Sequence, residues 1–372
     1  MSASARYLEP QVTADLSRKM VFVAGPRQVG KTTLARNIIG NSAGYLSWDI
    51  AEDRENILKR ELPAAPIWAF DELHKYGPWR NWLKGVWDGR PPEQQLLVTG
   101  SARLDLFRYG GESLQGRYHL LRLHPLSAAE LGMQRNEDIL DLVRLGGFPE
   151  PFYGGDEVQA RRWSREYRSR ILRDELVDLE RVVDLGRMEQ LALALPERVG
   201  SPLSINGLRE DLQVAHATAA RWLDALERLY AIFRLPPFGA PKLRAVRKEQ
   251  KHYHFDWTCI ASDGPRFESL VACHLLKWVH HQVDTLGLDL DLRYFRDVDR
   301  REVDFVVVNG RTPVLFVEAK WSDAPVERGL RYLKERFPDV PAWQIAATGT
   351  KDYVDASGIR VAPALALLST LV

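Results

Sequence analysis

Gly25-Pro26-Arg27-Gln28-Val29-Gly30-Lys31-Thr32 fits the pattern G-x-x-x-x-G-K-[ST] at every fixed position. Residues of these types at this spacing hold the phosphates of a nucleoside triphosphate. The glycines let backbone N–H groups turn inward around the anion, the lysine reaches the β- and γ-phosphates, and the threonine hydroxyl meets Mg²⁺. Gly25, Pro26, Arg27, Gln28, Val29, Gly30, Lys31, Thr32 and Thr33 are thus the expected ATP-binding residues, with Lys31 acting on phosphate charge and Thr32 on the metal. The flanks agree with this. Met20–Ala24 is a short apolar run of strand type, and Thr33–Ile39 has helical spacing that stops at Gly40. The loop therefore opens a helix, whose N-terminal partial charge adds to the attraction for phosphate.

A pair of acids follows about 40 residues later. The apolar strand Ile67-Trp68-Ala69-Phe70 ends in Asp71-Glu72. Asp71 is expected to orient the water shell of Mg²⁺, and Glu72 to polarise the attacking water as general base. The next apolar strand, Leu96-Leu97-Val98, ends in Thr99-Gly100-Ser101. Ser101 or Thr99 is a candidate to contact the γ-phosphate or the water; as plain strand-end turn residues they would look the same. Arg117 is a candidate for stabilising transition-state charge in a neighbouring subunit, a surface arginine being the commoner explanation.

Charged groups converge again near the C-terminus. Glu302-Val303-Asp304-Phe305-Val306-Val307-Val308 and Pro313-Val314-Leu315-Phe316-Val317-Glu318-Ala319-Lys320 read as two buried strands around a turn at Asn309-Gly310. A hairpin centred near Arg311 sets Asp304 across from Glu318, with Lys320 on the same face as Glu318. Buried charge demands compensation. Either these groups neutralise one another, Asp304 pairing with Lys320, or Asp304 and Glu318 hold a divalent metal while Lys320 positions or activates water. Glu268, in Arg266-Phe267-Glu268, is placed to add a further metal ligand from a preceding helix.

These residues need a scaffold in three parts. Residues 1–155 alternate strands (Val21–Ala24, Tyr45–Trp48, Ile67–Phe70, Gln95–Thr99 and one near Tyr118–Leu123) with helices, the pattern of a P-loop AAA-like parallel α/β sheet that closes at Gly146-Gly147-Phe148-Pro149. Residues 156–240 form a helical linker, from Val158 to about Leu195, and a winged-helix module. The linker's start is crowded with Arg161, Arg162, Arg165, Arg168, Arg170 and Arg173. In the module Ser204 caps a helix over Ile205–Leu212, a second helix runs from His216 to Tyr230, and Ile232–Leu235 is a wing strand. Such a module either binds DNA through Thr218 and Arg221 or serves as a lid on the ATPase core. Residues 241–372 open with the basic linker Lys242, Arg244, Arg247, Lys248 and Lys251 and continue as an α/β nuclease-like domain.

Composition narrows the class. The 372 residues exceed what one core usually holds, and 27% charged with 45% hydrophobic residues is ordinary for a globular chain. A net charge of +1 leaves any nucleic-acid surface to a local patch. Cys259 and Cys273 are not spaced as a metal or redox pair, residues 1–20 scatter charges without an apolar core, and no apolar run approaches a membrane span. A cytoplasmic location is the expectation.

The phosphate loop, Phe70-Asp71-Glu72, Thr99-Gly100-Ser101, Leu123-His124-Pro125-Leu126-Ser127, Gly146-Gly147-Phe148-Pro149-Glu150, Gly264-Pro265-Arg266-Phe267-Glu268, Arg300-Arg301-Glu302-Val303-Asp304-Phe305 and Glu318-Ala319-Lys320 occur in one order. Together they resemble a large prokaryotic family of AAA-type ATPases, related to the signal-transducing STAND ATPases. The resemblance spans nearly the whole chain. It implies an AAA-like core, a winged helix and a C-terminal fold of the PD-(D/E)xK nuclease type. One departure is Trp257 before Thr258, where the family has a small residue. The leading reading is an ATP-hydrolysing, oligomeric switch acting on DNA or RNA, with a metal-dependent nuclease-like module. The alternative is an ATP-regulated signalling protein whose nuclease-like domain only binds DNA or a protein partner. A small-molecule kinase is disfavoured by the two extra modules.

Overall fold

Short runs of valine, leucine and aromatic residues build the first sheet. They are β1 (Met20–Ala24), β2 (Tyr45–Ser47), β3 (Ile67–Asp71), β4 (Gln95–Thr99) and β5 (Tyr118–Arg122). All pair in parallel, in the order β2-β3-β4-β1-β5. Every residue of β1 is buried, as expected of a parallel strand covered by helices on both faces. Helix Trp79–Gly89 buries Trp79, Trp82, Leu83 and Val86, a helical stripe that packs with Phe22, Phe70 and Val98 of the sheet. The structure, a computed structural model, describes residues 6–40, 43–100, 114–175, 184–239 and 250–372. The chain divides into two units, Met1–His124 and Pro125–Val372.

The second unit begins with helices Asp138–Leu145, Pro149–Gly154 and Glu157–Arg170. The glycine turn expected to close the first domain lies inside this unit, because a tryptophan claims it. A Cβ on Gly147 would stand 2.6 Å from the Trp257 ring, and Trp257 Nε1 donates to the Leu142 carbonyl at 2.9 Å. Trp257 is fully buried there, its indole packed against the glycine turn. The expected linker helix is observed as Glu157–Arg170, a π-helical turn at Ile171–Glu175 and helix Leu185–Ala194.

Further along, Ser204 Oγ accepts from Gly207 N at 3.2 Å and caps helix Ile205–Leu212. After a turn at Gln213 (φ 52°), helix His216–Arg228 buries Leu223 and Leu226. Strands β6 (Pro202–Leu203), β7 (Ile232–Leu235) and β8 (Gln250–His254) form a small antiparallel sheet in the order β6-β8-β7. The 24-residue helix Asp263–Leu286 then leads into β9 (Leu290–Arg296), β10 (Glu302–Asn309) and β11 (Thr312–Lys320), an antiparallel meander. Helix Arg328–Arg336 crosses over to β12 (Ala342–Ala346), which pairs parallel to β11. Strands β13 (Tyr353–Val354) and β14 (Arg360–Pro363) complete the order β13-β14-β12-β11-β10-β9. Val303, Val306, Phe316, Leu330 and Val361 pack together on one side of this sheet.

Candidate nucleotide site and carboxylate cluster

Where β1 ends, the chain turns through Gly25 (φ 155°), Gln28 (φ 60°) and Gly30 (φ 102°) into helix Lys31–Ile39. Gly25 is forced by space as well as by angle, because a Cβ there would stand 2.2 Å from the Leu123 carbonyl oxygen. Lys31 is buried, and its ammonium donates to the carbonyls of Gly25 (3.0 Å) and Pro26 (2.6 Å). That holds a positive charge within the loop itself. Arg27, Gln28 and Thr33 face solvent, while Val29 anchors the loop in the core.

Asp71 ends β3 as a buried carboxylate that three hydroxyls converge upon. Thr99 donates to Oδ1 at 2.6 Å; Thr32 and Tyr45 donate to Oδ2 at 2.8 and 2.6 Å. The sheet order explains this. Strand β4 lies between β1 and β3, and its register sets Thr99 beside both Val23 and Asp71. Burial and the Asp71 carboxylate push the Tyr45 phenol above its ordinary range, so it stays a donor. Glu72 takes a left-handed conformation (φ 56°), and its carboxylate lies 3.4 Å from Lys75 Nζ and 3.6 Å from His74 Nε2. Lys75 also contacts Asp49 at 2.6 Å. Ser101 lies outside the described residues. The donor set fits Mg²⁺·ATP: a lysine, a threonine hydroxyl and an aspartate sit side by side, so that Lys31 and the loop could meet phosphate and Thr32 and Asp71 the ion.

The second group lies on β8, β10, β11 and helix Asp263–Leu286. Register pairs Phe305 with Val317, which brings Asp304 and Glu318 together as expected. Among the described residues no group of three or more His, Cys, Asp or Glu side chains is arranged to hold a metal ion. A lysine stands among these acids. Lys251 of β8, with its side chain 1% exposed, lies 2.6 Å from Glu302, 3.1 Å from Asp304 and 3.4 Å from Glu268. Lys320 does not bond Asp304; it pairs with Glu318 at 3.0 Å and Glu327 at 2.7 Å. Burial, then the Asp304 charge, raises Glu268 to about 7, and the same two causes push Glu318 well above the glutamate range. Tyr253 donates to Glu268 at 2.7 Å.

Residues 17–132 match the family model described as "AAA domain". The N-terminal unit is an AAA-type P-loop domain. Residues 136–261 and 263–367 match two further families, each described as a domain of unknown function (DUF8612 and DUF4143). Uncharacterized proteins of Mycobacterium bovis and Mycobacterium tuberculosis are each 26% identical over 370 residues, covering 90% of this chain and 82% of theirs. Among solved structures, Bacteroides Pif1 bound to ssDNA aligns at 14% identity and TM-score 0.21, over 39% of this chain and 47% of that one. A STAND protein with a tetratricopeptide repeat sensor from Pyrococcus horikoshii aligns at 12% identity and TM-score 0.22, over 75% of this chain and 47% of that one. The chain thus spans about half the length of each, and at these scores neither alignment bears on function.

Within the AAA domain, Arg117 stands apart from the loop. Its carbonyl accepts from Met20 N, so it sits where β1 begins, whereas the phosphate loop starts where β1 ends, about 15 Å away by strand rise. Its guanidinium pairs with Asp88 at 3.0 Å. Three site residues escaped sequence reasoning. Arg6 donates to the Val29 carbonyl and to the His124 carbonyl and so ties down the loop. Tyr45 and Lys251 are the others. No motif marked Arg6 or Tyr45; Lys251 was visible only as one member of a basic run. Among the described residues no helix is long and apolar enough to cross a membrane.

Proposed function

We propose that this chain is an ATP-hydrolysing switch of the AAA type that acts on nucleic acid through its C-terminal unit. The bond between Thr32 and Asp71 at 2.8 Å carries the ATPase reading, since it links the phosphate loop to the acid strand at the place a cation needs both. Lys31 would exchange its two loop carbonyls for phosphate oxygens. Bound Mg²⁺ would neutralise phosphate charge. Glu72 would then leave Lys75 and accept a proton from the attacking water, a step typically worth ~10²-fold or more in rate. The nucleic-acid reading is supported by the capped two-helix element with its three-stranded sheet, read as a winged helix, and by the exposed Arg162 and Arg165 on helix Glu157–Arg170. Phosphate release from ATP, measured for the full chain and Lys31→Ala with and without DNA and RNA, tests both. Hydrolysis by the wild type alone, stimulated by nucleic acid, is the expected result.

A second reading is favoured by the carboxylate cluster. The order helix, three antiparallel strands, helix, parallel strand supports a nuclease-like fold for the C-terminal part, yet its acids are paired with lysines. On this reading the part binds its target without cutting it. A cleavage assay with Mg²⁺ or Mn²⁺ on single- and double-stranded DNA and RNA separates the two readings.

A further inference from the structure

All four carboxylate oxygens of Asp304 and Glu318 already have nitrogen partners. Asp304 Oδ1 faces Lys251 Nζ at 3.1 Å, and its Oδ2 accepts from Ala319 N at 3.1 Å. Glu318 Oε1 faces Lys320 Nζ at 3.0 Å, and its Oε2 accepts from Asp304 N at 3.2 Å. An ammonium carries three N–H groups, and Lys251 meets three carboxylates, those of Glu302, Asp304 and Glu268. Its side chain is 1% exposed, and the Tyr294 ring lies 5.7 Å from it. A buried ammonium with three carboxyl partners is compensated; remove it and three acids are left crowded together. Magnesium needs several oxygens at about 2.0–2.1 Å in near-octahedral array, and the nitrogens hold those lone pairs.

We propose that Lys251 is the resident cation of this cluster, standing where a divalent ion would otherwise bind, so that the C-terminal part keeps its fold and binds its target without metal. A nuclease-like sheet has thereby been closed by an internal counterion delivered from β8. Gly200 (φ 79°) lies so close to Glu268 that a Cβ there would stand 2.6 Å from Oε2, so the glycine leaves room for this carboxylate beside Lys251. The cluster and the phosphate loop lie in different units, so the test below does not depend on ATP turnover.

The test is Mn²⁺ binding, followed by electron paramagnetic resonance on the full, nucleotide-free chain. Wild type, Lys251→Met, Asp304→Asn and the double variant are compared. The wild type should show no Asp304-dependent site up to ~1 mM Mn²⁺. Lys251→Met should gain one site at least tenfold tighter, lose it in the double variant, and melt at a higher temperature when Mn²⁺ is added. A wild-type site that Asp304→Asn removes overturns the proposal, and this comparison stands even where Lys251→Met fails to fold. A folded Lys251→Met chain that binds no Mn²⁺ overturns it equally.

Discussion

Tyr45→Phe is the sharpest perturbation of the nucleotide site. It deletes one oxygen and leaves the ring, over which the Arg36 guanidinium lies at 4.6 Å. Asp71 Oδ2 loses its 2.6 Å donor but keeps Thr32 at 2.8 Å, and Oδ1 keeps Thr99 at 2.6 Å. No buried group is orphaned, so the effect reports how firmly the carboxylate is oriented. A hydrogen bond to an ionised acceptor contributes about 1.5–3 kcal/mol, and the partial exposure of Tyr45 places this one at the lower end. If about half of that is expressed in holding Asp71 toward the ion, Mg²⁺ affinity falls by roughly 3–10-fold, since 1.4 kcal/mol is tenfold. The assay titrates Mg²⁺ into protein with a fluorescent ATP analogue. Tyr45→Phe should raise the Mg²⁺ midpoint, Thr99→Val should do likewise from the other oxygen, and binding in EDTA should stay at the wild-type level because Lys31 and the loop are untouched. A midpoint that is unchanged or lower in Tyr45→Phe refutes the argument; the lower value would mean that the phenol competes with the ion's water shell.

Glu72→Gln should bind ATP as tightly as wild type and hydrolyse it ~10²-fold more slowly; single-turnover hydrolysis at the wild-type rate would remove Glu72 as the base. Arg117 lies at the far end of β1 from the loop, so a catalytic role for it requires a neighbouring chain's nucleotide; on that role, light scattering with a non-hydrolysable ATP analogue should show an oligomer whose turnover Arg117→Ala lowers. A strict monomer in every nucleotide state would end that role. Glu268 makes stability depend on pH. Its folded value of about 7 lies above the ordinary 4.5, so the folded chain holds the extra proton, and stability is full below pH 4.5 and declines as pH rises through 7. Glu268→Gln should flatten that decline by up to about 3 kcal/mol in denaturant titrations at pH 4.5 and 7.5, while an unchanged slope would assign the decline to other groups.

The residues legible in the sequence were those whose chemistry is local. Gly25, Gly30, Lys31 and Thr32 sit within one turn of chain, and the five strands of the first sheet carried apolar runs that placed each within a residue or two. Asp304 and Glu318 could be paired because a hairpin centred near Arg311 sets them opposite, and a bulge between Val307 and Val308 keeps that register in the structure. Lys251 could not. It reaches Asp304 from a strand 53 positions away, across a sheet junction that no spacing predicts, and in the sequence it is one member of a basic run of the kind that usually faces water. Tyr45 was hidden for the same reason, being 26 positions from Asp71 on a strand whose register only the fold supplies. Tyr45 and Lys251 answer one physical demand: a buried carboxylate must find donors, and the chain supplies them from whichever element lies nearest in space. The two sites then diverge through the kind of donor recruited. Hydroxyls surround Asp71, and a hydroxyl can hand its place to the water shell of a metal while keeping its own proton. Ammonium groups meet Asp304 and Glu318, and an ammonium brings the positive charge that a metal would otherwise have to supply.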